Sequence, residues 1–328
     1  MVESATLLMW YTVLNPYRGF ESLPLRQNTL VTQNSVIQFP LMASIIGVDL
    51  GGTKIAATRF DASSWKAQAS ERMGTQAGKS FEEVVKNILS VIGKLKTPDT
   101  VAVGIGVPGL IQRPEGEILL LPNIPGAEGF PLEERLKKET GLPVNVENDS
   151  SCFTLAEALK GAGRGHDVVV GVTMGTGVGG GIVINGKLFQ GSHGFSAEIG
   201  HMLLRPGEPP SGTTDRRGDI EQFLSGTALG KRCPAATSPQ EYLEGEACRE
   251  LHAKVITEVA QMCASLTHCI DPSVIVFGGS AGRALQPHLK KIEQALRKWV
   301  YPGTPLPRLA IGILDDAGAL GAAMVARE

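Results

Sequence analysis

Two aspartates, each beside a turn, are the residues of this sequence best suited to chemistry. Asp49 ends the apolar run 44–48, and Asp149 stands between a strand pattern and a helix pattern. Ligands of α/β proteins bind where strands end, so Asp149 there can orient a substrate hydroxyl and accept its proton during phosphoryl transfer. We expect the positive end of the following helix to keep Asp149 ionised. Simple helix capping by Asn148 and its neighbours is the structural alternative.

Two glycine-rich turns follow apolar strands. Gly51-Gly52 precedes Thr53 and Lys54, and residues 175–181 read GTGVGGG. Glycine lets another group approach the backbone, and clustered amides suit phosphate oxygens. Neither turn has the spacing of a dinucleotide fingerprint or a Walker loop. We therefore expect an anion to bind at both turns; ordinary glycine turns are the alternative.

Glu198 and His201 form a third candidate pair, in Glu198-Ile199-Gly200-His201. On a helix, residues at i and i+3 share a face. A carboxylate and an imidazole suit the vicinal hydroxyls of a sugar, whereas a metal site of this spacing needs a second copy of the motif. An unrelated surface pair remains the alternative.

The hydrophobic pattern predicts alternating strands and helices, hence an α/β fold with a partly parallel sheet. A strand, a hairpin and a glycine turn occur twice, from about residue 45 and from about residue 167. This duplication suggests two lobes that hold a nucleotide in the cleft between them. The predicted helices are 81–95, 131–140, 149–159, 248–270, 284–300 and one from 317, and the further strands are 101–107, 144–147, 273–277 and 309–313.

Composition narrows the class of protein. The chain has 328 residues and a net charge of −2, so length predicts two domains and charge gives no sign of a nucleic-acid partner. Five cysteines without a C-x-x-C pair indicate neither a disulfide framework nor a zinc knuckle and favour a reducing cytoplasm. No apolar run predicts a membrane span. Residues 15–40 lack helical or strand periodicity, so we expect residues 1–41 to be a disordered leader, either an accessory segment or a mis-assigned start.

Taken together, the motifs resemble the ROK family of sugar kinases in the actin-like ATPase superfamily. Seven motifs occur in the family's order across residues 45–325. They are D-x-G-G-T-K at 49–54, G-I-G-V-P-G at 104–109, P-N at 122–123, N-D at 148–149, G-T-G-x-G-G-G at 175–181, E-x-G-H at 198–201 and F-G-G at 277–279.

The resemblance implies a two-lobed, ribonuclease H-like fold of duplicated mixed sheets with an interlobe cleft. Residues 42–148 with about 311–328 would form the smaller N-terminal lobe, and 149–310 the larger one. Asp49 would bind Mg²⁺ through water, and Asp149 would be the catalytic base. ATP would be held by Asp49, Gly51, Gly52, Thr53, Lys54, Gly175, Thr176, Gly177, Gly278 and Gly279, and the sugar by Gly109, Asn123, Asn148, Asp149, Glu198 and His201.

The sequence departs from the family at its zinc motif, C-x-C-G-x-x-G-C, which binds zinc together with the E-x-G-H histidine. Residues 212–219 read GTTDRRGD and contain no cysteine, and thiolates are the ligands that structural zinc sites use. We therefore expect no zinc, and ion pairs among Asp215, Arg216, Arg217 and Asp219 instead. Ser151 replaces a second asparagine often seen near the sugar.

The function implied is ATP-dependent phosphorylation of a hexose hydroxyl, with glucose to glucose 6-phosphate as first choice. An N-acylhexosamine, fructose or mannose kinase is the alternative within the family. A sugar-sensing regulator is the alternative outside catalysis, but it would carry a DNA-binding domain of about 70 residues, which the segment before residue 44 does not resemble. The resemblance also implies a homodimer.

Overall fold

The computed structural model describes residues 43–208, 210 and 215–327. The strands are β1 (Ser44–Leu50), β2 (Lys54–Asp61), β3 (Ala67–Gly74), β4 (Thr100–Val107), β5 (Leu110–Gln112), β6 (Glu117–Leu120), β7 (Val144–Asn148), β8 (Val168–Met174), β9 (Val178–Ile184), β10 (Lys187–Leu188), β11 (Val274–Gly278) and β12 (Arg308–Ile311). The α-helices are α1 (Phe81–Leu95), α2 (Leu132–Thr140), α3 (Asp149–Lys160), α4 (Ile220–Leu224), α5 (Gly226–Arg232), α6 (Glu241–Glu244), α7 (Arg249–Ile270), α8 (Gly279–Arg283), α9 (Leu289–Leu296) and α10 (Ala317–Val325).

The strands build two sheets of the same design. The first sheet has the order β3-β2-β1-β4-β7, and the second has the order β10-β9-β8-β11-β12. β1 pairs antiparallel with β2 and parallel with β4, while β8 pairs antiparallel with β9 and parallel with β11. Each sheet thus joins a hairpin to parallel strands. The predicted α/β fold with duplicated mixed sheets is confirmed.

Helices α3 and α10 lie between the two sheets. Ile45 of the first sheet and Val169 and Val276 of the second share one buried cluster with both helices. α10 is rich in alanine and glycine, and its buried side includes Ala319, Ala322 and Ala323. Small side chains allow a helix to approach a sheet closely, so α10 can fill the narrow space between the layers.

Two paired glycines form the surface on which α10 packs. Gly47 of β1 and Gly104 of β4 are neighbours in the parallel register. A Cβ atom at Gly47 would collide with the carbonyl oxygen of Ala319, and one at Gly104 would collide with that of Ala322. The helix backbone therefore rests directly on the sheet backbone, beside the end of β1 that carries Asp49.

Most predicted elements are confirmed within a residue or two. Helix α1 has the predicted bounds, and Asn185 and Gly186 have φ values of 52° and 78°, as the predicted hairpin turn requires. The helix predicted near 284–300 is present but shorter, as α9 (Leu289–Leu296). α8 begins at Gly279, and a 3-10 turn that contains Pro287, Gln286–His288, precedes α9, because proline lacks the amide that a continuous helix needs.

The expectation about cysteines is also wrong. Cys233, at the end of α5, and Cys248, just before α7, form a disulfide with a Cα–Cα distance of 5.7 Å. The two residues are brought together by the α6 excursion between them, which cysteine spacing does not reveal. The cysteine argument for a reducing compartment therefore no longer holds. The expected leader, residues 1–41, lies outside the described residues.

Candidate active site

The two aspartates singled out above face each other across one strand end. Asp49 lies near the carboxyl end of β1 and is paired with Gly106 of β4. A Cβ atom at Gly106 would lie 3.4 Å from the Cα atom of Asp149. Gly318, at the start of α10, packs on the other side of Asp49, with a built Cβ 3.0 Å from its Cγ. The sheet thus brings the two aspartates into one site.

Burial controls the charge of Asp149. Loss of solvent raises the pKa of its carboxyl group to about 7, and the neighbouring charge of Asp49 adds to the rise. Hydrogen bonds from Ser150 oppose it, including one from Oγ to Oδ1 of 3.1 Å. The expectation that the helix N-terminus keeps Asp149 ionised is therefore wrong at acidic pH, because desolvation and a like charge outweigh the helix.

Asp49 shows the same tendency. Burial raises the pKa of its carboxyl group, the charge of Lys54 lowers it and that of Asp316 raises it. Two half-buried carboxyl groups with raised pKa values at one place are typical of functional sites. The arrangement favours a bound cation or a proton between them.

The first glycine turn is held from behind. The amide of Gly51 donates to the carbonyl of Lys54 at 2.9 Å, and Thr75 Oγ1 donates to the carbonyl of Gly51 at 2.6 Å. Asn123 lies against Gly52, since a Cβ built there would be 3.1 Å from Asn123 Cβ. The turn is therefore fixed by groups on its inner side. Thr75 is a supporting residue that the sequence did not single out.

The second glycine loop is fixed in a comparable way. The amide of Gly175 donates to the carbonyl of Gly177 at 2.9 Å, and the amide of Gly226 donates to the carbonyl of Gly175 at 2.7 Å. Thr227 Oγ1 donates to the carbonyl of Thr176 at 2.8 Å. Residues 226 and 227 begin α5, so a helix that is not evident from the hydrophobic pattern supports the loop.

The glycine loop is connected to both Asp149 and Gly279. Ser150, next to Asp149, shares a hydrogen bond of 2.6 Å with Thr173, which precedes the loop. Gly279 has φ of 73° and packs on the carbonyl of Met174. The ends of β8 and β11 therefore place Gly278 and Gly279 beside the loop, as their shared candidate role requires.

The predicted sugar residues fall into a cavity and its surroundings. Gly109, Asn148 and Glu198 line one cavity, and Asn148 Nδ2 donates to the carbonyl of Gly109 at 3.2 Å. Asn148 also caps α3 by accepting from the amides of Ser150 and Ser151, so the capping alternative holds beside any binding role. Asn123 lies instead beside the first glycine turn.

Glu198 precedes a single turn of 3-10 helix, Ile199–His201, and His201 is the last residue of that turn. Residues three apart eclipse in such a turn, so both side chains lie on one side. Burial raises the pKa of Glu198, the charge of His201 lowers it and that of Glu221 raises it. The charge of Glu198 also acts on Asp149. Glu198 therefore connects the cavity to the aspartate pair.

A buried ion pair lines the same cavity and was missed by sequence reasoning. Arg113 Nη2 donates to Glu147 Oε2, which also accepts from Gln190 Nε2 at 2.9 Å. Gln190 follows β10 of the second sheet, whereas Glu147 belongs to β7 of the first. Glu147 stands directly before the Asn148-Asp149 motif, and this position was the available signal.

The segment at the expected zinc motif contains some of the expected ion pairs. Arg217 lies 2.7 Å from Asp215 and 3.7 Å from Asp219, whereas Arg216 donates to the carbonyl of Gly207. Residues 211–214 lie outside the described part, so the absence of zinc stays a prediction. Within the described ranges, no group of three or more His, Cys, Asp or Glu could hold a metal, and no helix is long and apolar enough to span a bilayer.

Comparison with known proteins shows that this chain is similar to sugar kinases. The model of the ROK family matches residues 45–328. A glucokinase of Thermotoga maritima is 32% identical, over 87% of this chain and 97% of its own length. An N-acetyl-D-glucosamine kinase of Pectobacterium carotovorum is 30% identical, over 85% and 97%.

Solved structures agree. The ROK hexokinase of Thermus thermophilus superposes with a TM-score of 0.74 at 30% identity, covering 86% of this chain and 97% of that one. A ROK glucokinase of Streptomyces griseus, solved with glucose and AMPPNP, gives a TM-score of 0.71 at 31% identity, covering 87% and 99%. The fold is that of the actin-like ATPases.

Proposed function

This chain belongs to the ROK family, and from that premise we propose that it transfers the terminal phosphoryl group of ATP to a hydroxyl of glucose. One observation carries the proposal: a single site combines two half-buried, neighbouring aspartates with the glycine turns at residues 51–52 and 175–177. Its most similar relatives include glucokinases. N-acetyl-D-glucosamine is the second candidate substrate, favoured by relatives that phosphorylate it.

Asp149 is the proposed catalytic base. A base works best when its pKa lies near the operating pH, and the pKa of about 7 for Asp149 meets that condition. Phosphoryl transfer passes through a loose transition state, so the sugar hydroxyl becomes acidic as the phosphoryl group arrives. Asp149 then needs only to orient the hydroxyl and receive its proton.

The glycine turns are the proposed phosphate sites. Gly51, Gly52, Thr53 and Lys54 would hold one part of the polyphosphate, and Gly175, Thr176 and Gly177 the other. The hydrogen bonds behind both turns keep their backbones in place before ATP binds. Gly278 and Gly279 would lie against the adenosine.

Asp49 is the proposed contact, through water, for Mg²⁺. Carboxylate oxygens and water are the ligands that Mg²⁺ prefers, and the raised pKa values of Asp49 and Asp149 mark an excess of buried negative charge. The residues therefore fit the ion. When bound, Mg²⁺ neutralises charge on the transferred phosphates. The positive charge of Lys54 partly offsets the negative charge of Asp49, whose pKa it lowers.

The sugar would be held by Gly109, Asn123, Asn148, Glu198 and His201. This role for Asn148 is supported by the hydrogen bonds that fix its side chain, from the amide of Ser150 and to the carbonyl of Gly109. A homodimer and a cytoplasmic location belong to the proposal as well. The location is supported by the need for ATP, no longer by the cysteines. Residues 42–148 with about 311–328, and residues 149–310, are the proposed lobes that close on the substrates.

The experiment is a coupled assay of ADP release over glucose, mannose, fructose and N-acetyl-D-glucosamine, with wild type and Asp149→Asn. We expect the highest kcat/KM with glucose. Asp149→Asn should lower kcat by about 10² to 10⁴, the usual contribution of a general base, and should keep glucose binding by calorimetry. Substantial turnover of the variant would refute the role of Asp149, and inactivity of wild type on every hexose would refute the function.

A further inference from the structure

A buried aspartate lies behind the histidine of the proposed sugar site. Asp219 Oδ2 is 3.3 Å from His201 Nδ1. The Asp219 side chain is 1% exposed, whereas that of His201 is 50% exposed. One ring nitrogen of His201 therefore meets a fixed carboxylate, and the other is left for solvent or substrate.

Asp219 is held rigidly. Its Oδ1 accepts from the amide of Gln222 at 3.2 Å, which caps α4. Residue 219 also forms a β-bridge with Leu203, and the amide of Ile220 donates to the carbonyl of Met202 at 2.9 Å. These bonds tie the start of α4 to the chain that follows His201, so the carboxylate cannot move without the histidine.

Arg217 supplies the positive charge that a buried carboxylate requires. Its guanidinium lies 3.7 Å from Asp219 Oδ2 and 2.7 Å from Asp215 Oδ2. A buried ionised group without such a partner is destabilising, because its lost hydration is not replaced. Arg217 therefore lets Asp219 remain an acceptor beside His201.

A zinc ion does not fit this cluster. The last position of the family's zinc motif is Asp219 here, and the stretch 212–219 supplies no thiolate. The guanidinium of Arg217 already provides a cation beside Asp219. A second cation there would be repelled, so the histidine has to be oriented by other means.

We propose that Asp219 is a positioning residue that fixes His201 as the Nδ1–H tautomer, with Arg217 in the place of the metal. The Nδ1–H group then donates to Asp219 Oδ2, which leaves Nε2 as an acceptor. Together with Glu198, this creates two adjacent acceptors for two hydroxyl donors of the sugar. The proposal deepens the proposed function and rests on it.

The tautomer can be read without substrate. In ¹⁵N-labelled protein at pH 8.5, where an ordinary histidine with a pKa of about 6.5 is neutral, long-range ¹H–¹⁵N spectra should show His201 protonated at Nδ1. Asp219→Asn retains an oxygen for the α4 cap but offers an amide donor to His201, so the proton should move to Nε2. An Nε2–H tautomer in wild type would overturn the proposal.

Glucose binding tests the consequence. We expect Asp219→Asn to raise the glucose Kd at least tenfold with a smaller change in kcat, and His201→Asn to do the same. The double variant should bind no worse than His201→Asn alone, because Asp219 acts through His201. Additive losses, or a shifted melting temperature with an unchanged Kd, would overturn the positioning role.

Asp61→Asn is the matched control. Asp61 also accepts from backbone amides of a local turn, those of Ser63 and Ser64, but it has no histidine partner in the described structure. Its glucose Kd should equal that of wild type. If His201 shows the expected tautomer but no hexose is phosphorylated, the proposed function is overturned, and with it the role of Asp219 and His201 in sugar binding. An altered glucose Kd for Asp61→Asn would overturn the inference about Asp219 alone.

Discussion

The charge of Asp49 raises the pKa of Asp149, across the end of β4 that separates the two residues. This relationship makes the proposed base depend on its neighbour. In the free enzyme, kcat/KM for glucose should therefore fall about tenfold per pH unit below about 7, because the protonated base is inactive. Initial rates between pH 5 and 9 measure it. A flat profile down to pH 5 would contradict the raised pKa.

Asp149 should also make stability depend on pH. Its pKa is about 7 in the folded protein and near 3.9 in an unfolded chain, so folding favours the protonated form. That stabilisation is fully present below about pH 4 and is lost as the pH rises through about 7. Asp149→Asn, which is neutral at every pH, should raise the melting temperature at pH 8 and leave it unchanged near pH 4. Calorimetric scans at both values test this.

Asp61 serves as a control because its contribution to stability should depend on pH in the opposite direction. Hydrogen bonds from Ser63 and Ser64 lower the pKa of its carboxyl group, so its contribution is present at neutral pH and is lost on acidification. Asp61→Asn should therefore lower the melting temperature slightly at pH 8. A rise at pH 8 in both variants would show that the effect of Asp149 is not specific to its site.

The close contact between α10 and the first sheet predicts that a substitution at Gly47 strongly lowers the free energy of unfolding. Gly47→Ala places a methyl group against the carbonyl of Ala319, which is backbone and cannot rotate away. Overpacking of this kind costs about 1–3 kcal/mol, occasionally more. Urea unfolding measures the change. Gly93→Ala is the control: no atom lies within 4 Å of a Cβ built at this α1 position, so it should stabilise by about 1 kcal/mol. Equal stability of the two variants would contradict the packing.

The disulfide predicts a redox-dependent stability. Cys233 and Cys248 are 15 residues apart, and closing a loop of that length in the unfolded chain is worth about 3 kcal/mol. Cys233→Ser with Cys248→Ser should therefore lower the free energy of unfolding by about that amount. Reduced wild type should match this variant, and Cys269→Ser, which alters an exposed free thiol, should match oxidised wild type. Five reactive thiols in unfolded, unreduced protein would contradict the bond.

Local signals in the sequence predicted the elements well, since they act within a few residues. The apolar spacing of α1 and the Asn185-Gly186 turn are of this kind. Contacts between distant residues could not be predicted from local patterns. The pKa of Asp149 depends on burial and on Asp49, the disulfide on the path of α6, and the partner of His201 on where α4 begins. The late start of α9 is a local effect, since Pro287 lies in the turn before it.

The packing of α10 on Gly47 and Gly104 has a consequence for the order in which the fold forms during synthesis. Both glycines, and every strand of the first sheet, leave the ribosome long before residues 317–325, which cover them. Until then the face of the first sheet at Gly47 and Gly104 is not covered by α10, and Asp49 lacks its packing contact with Gly318. The candidate active site is consequently completed only after residues 317–325 have been synthesised.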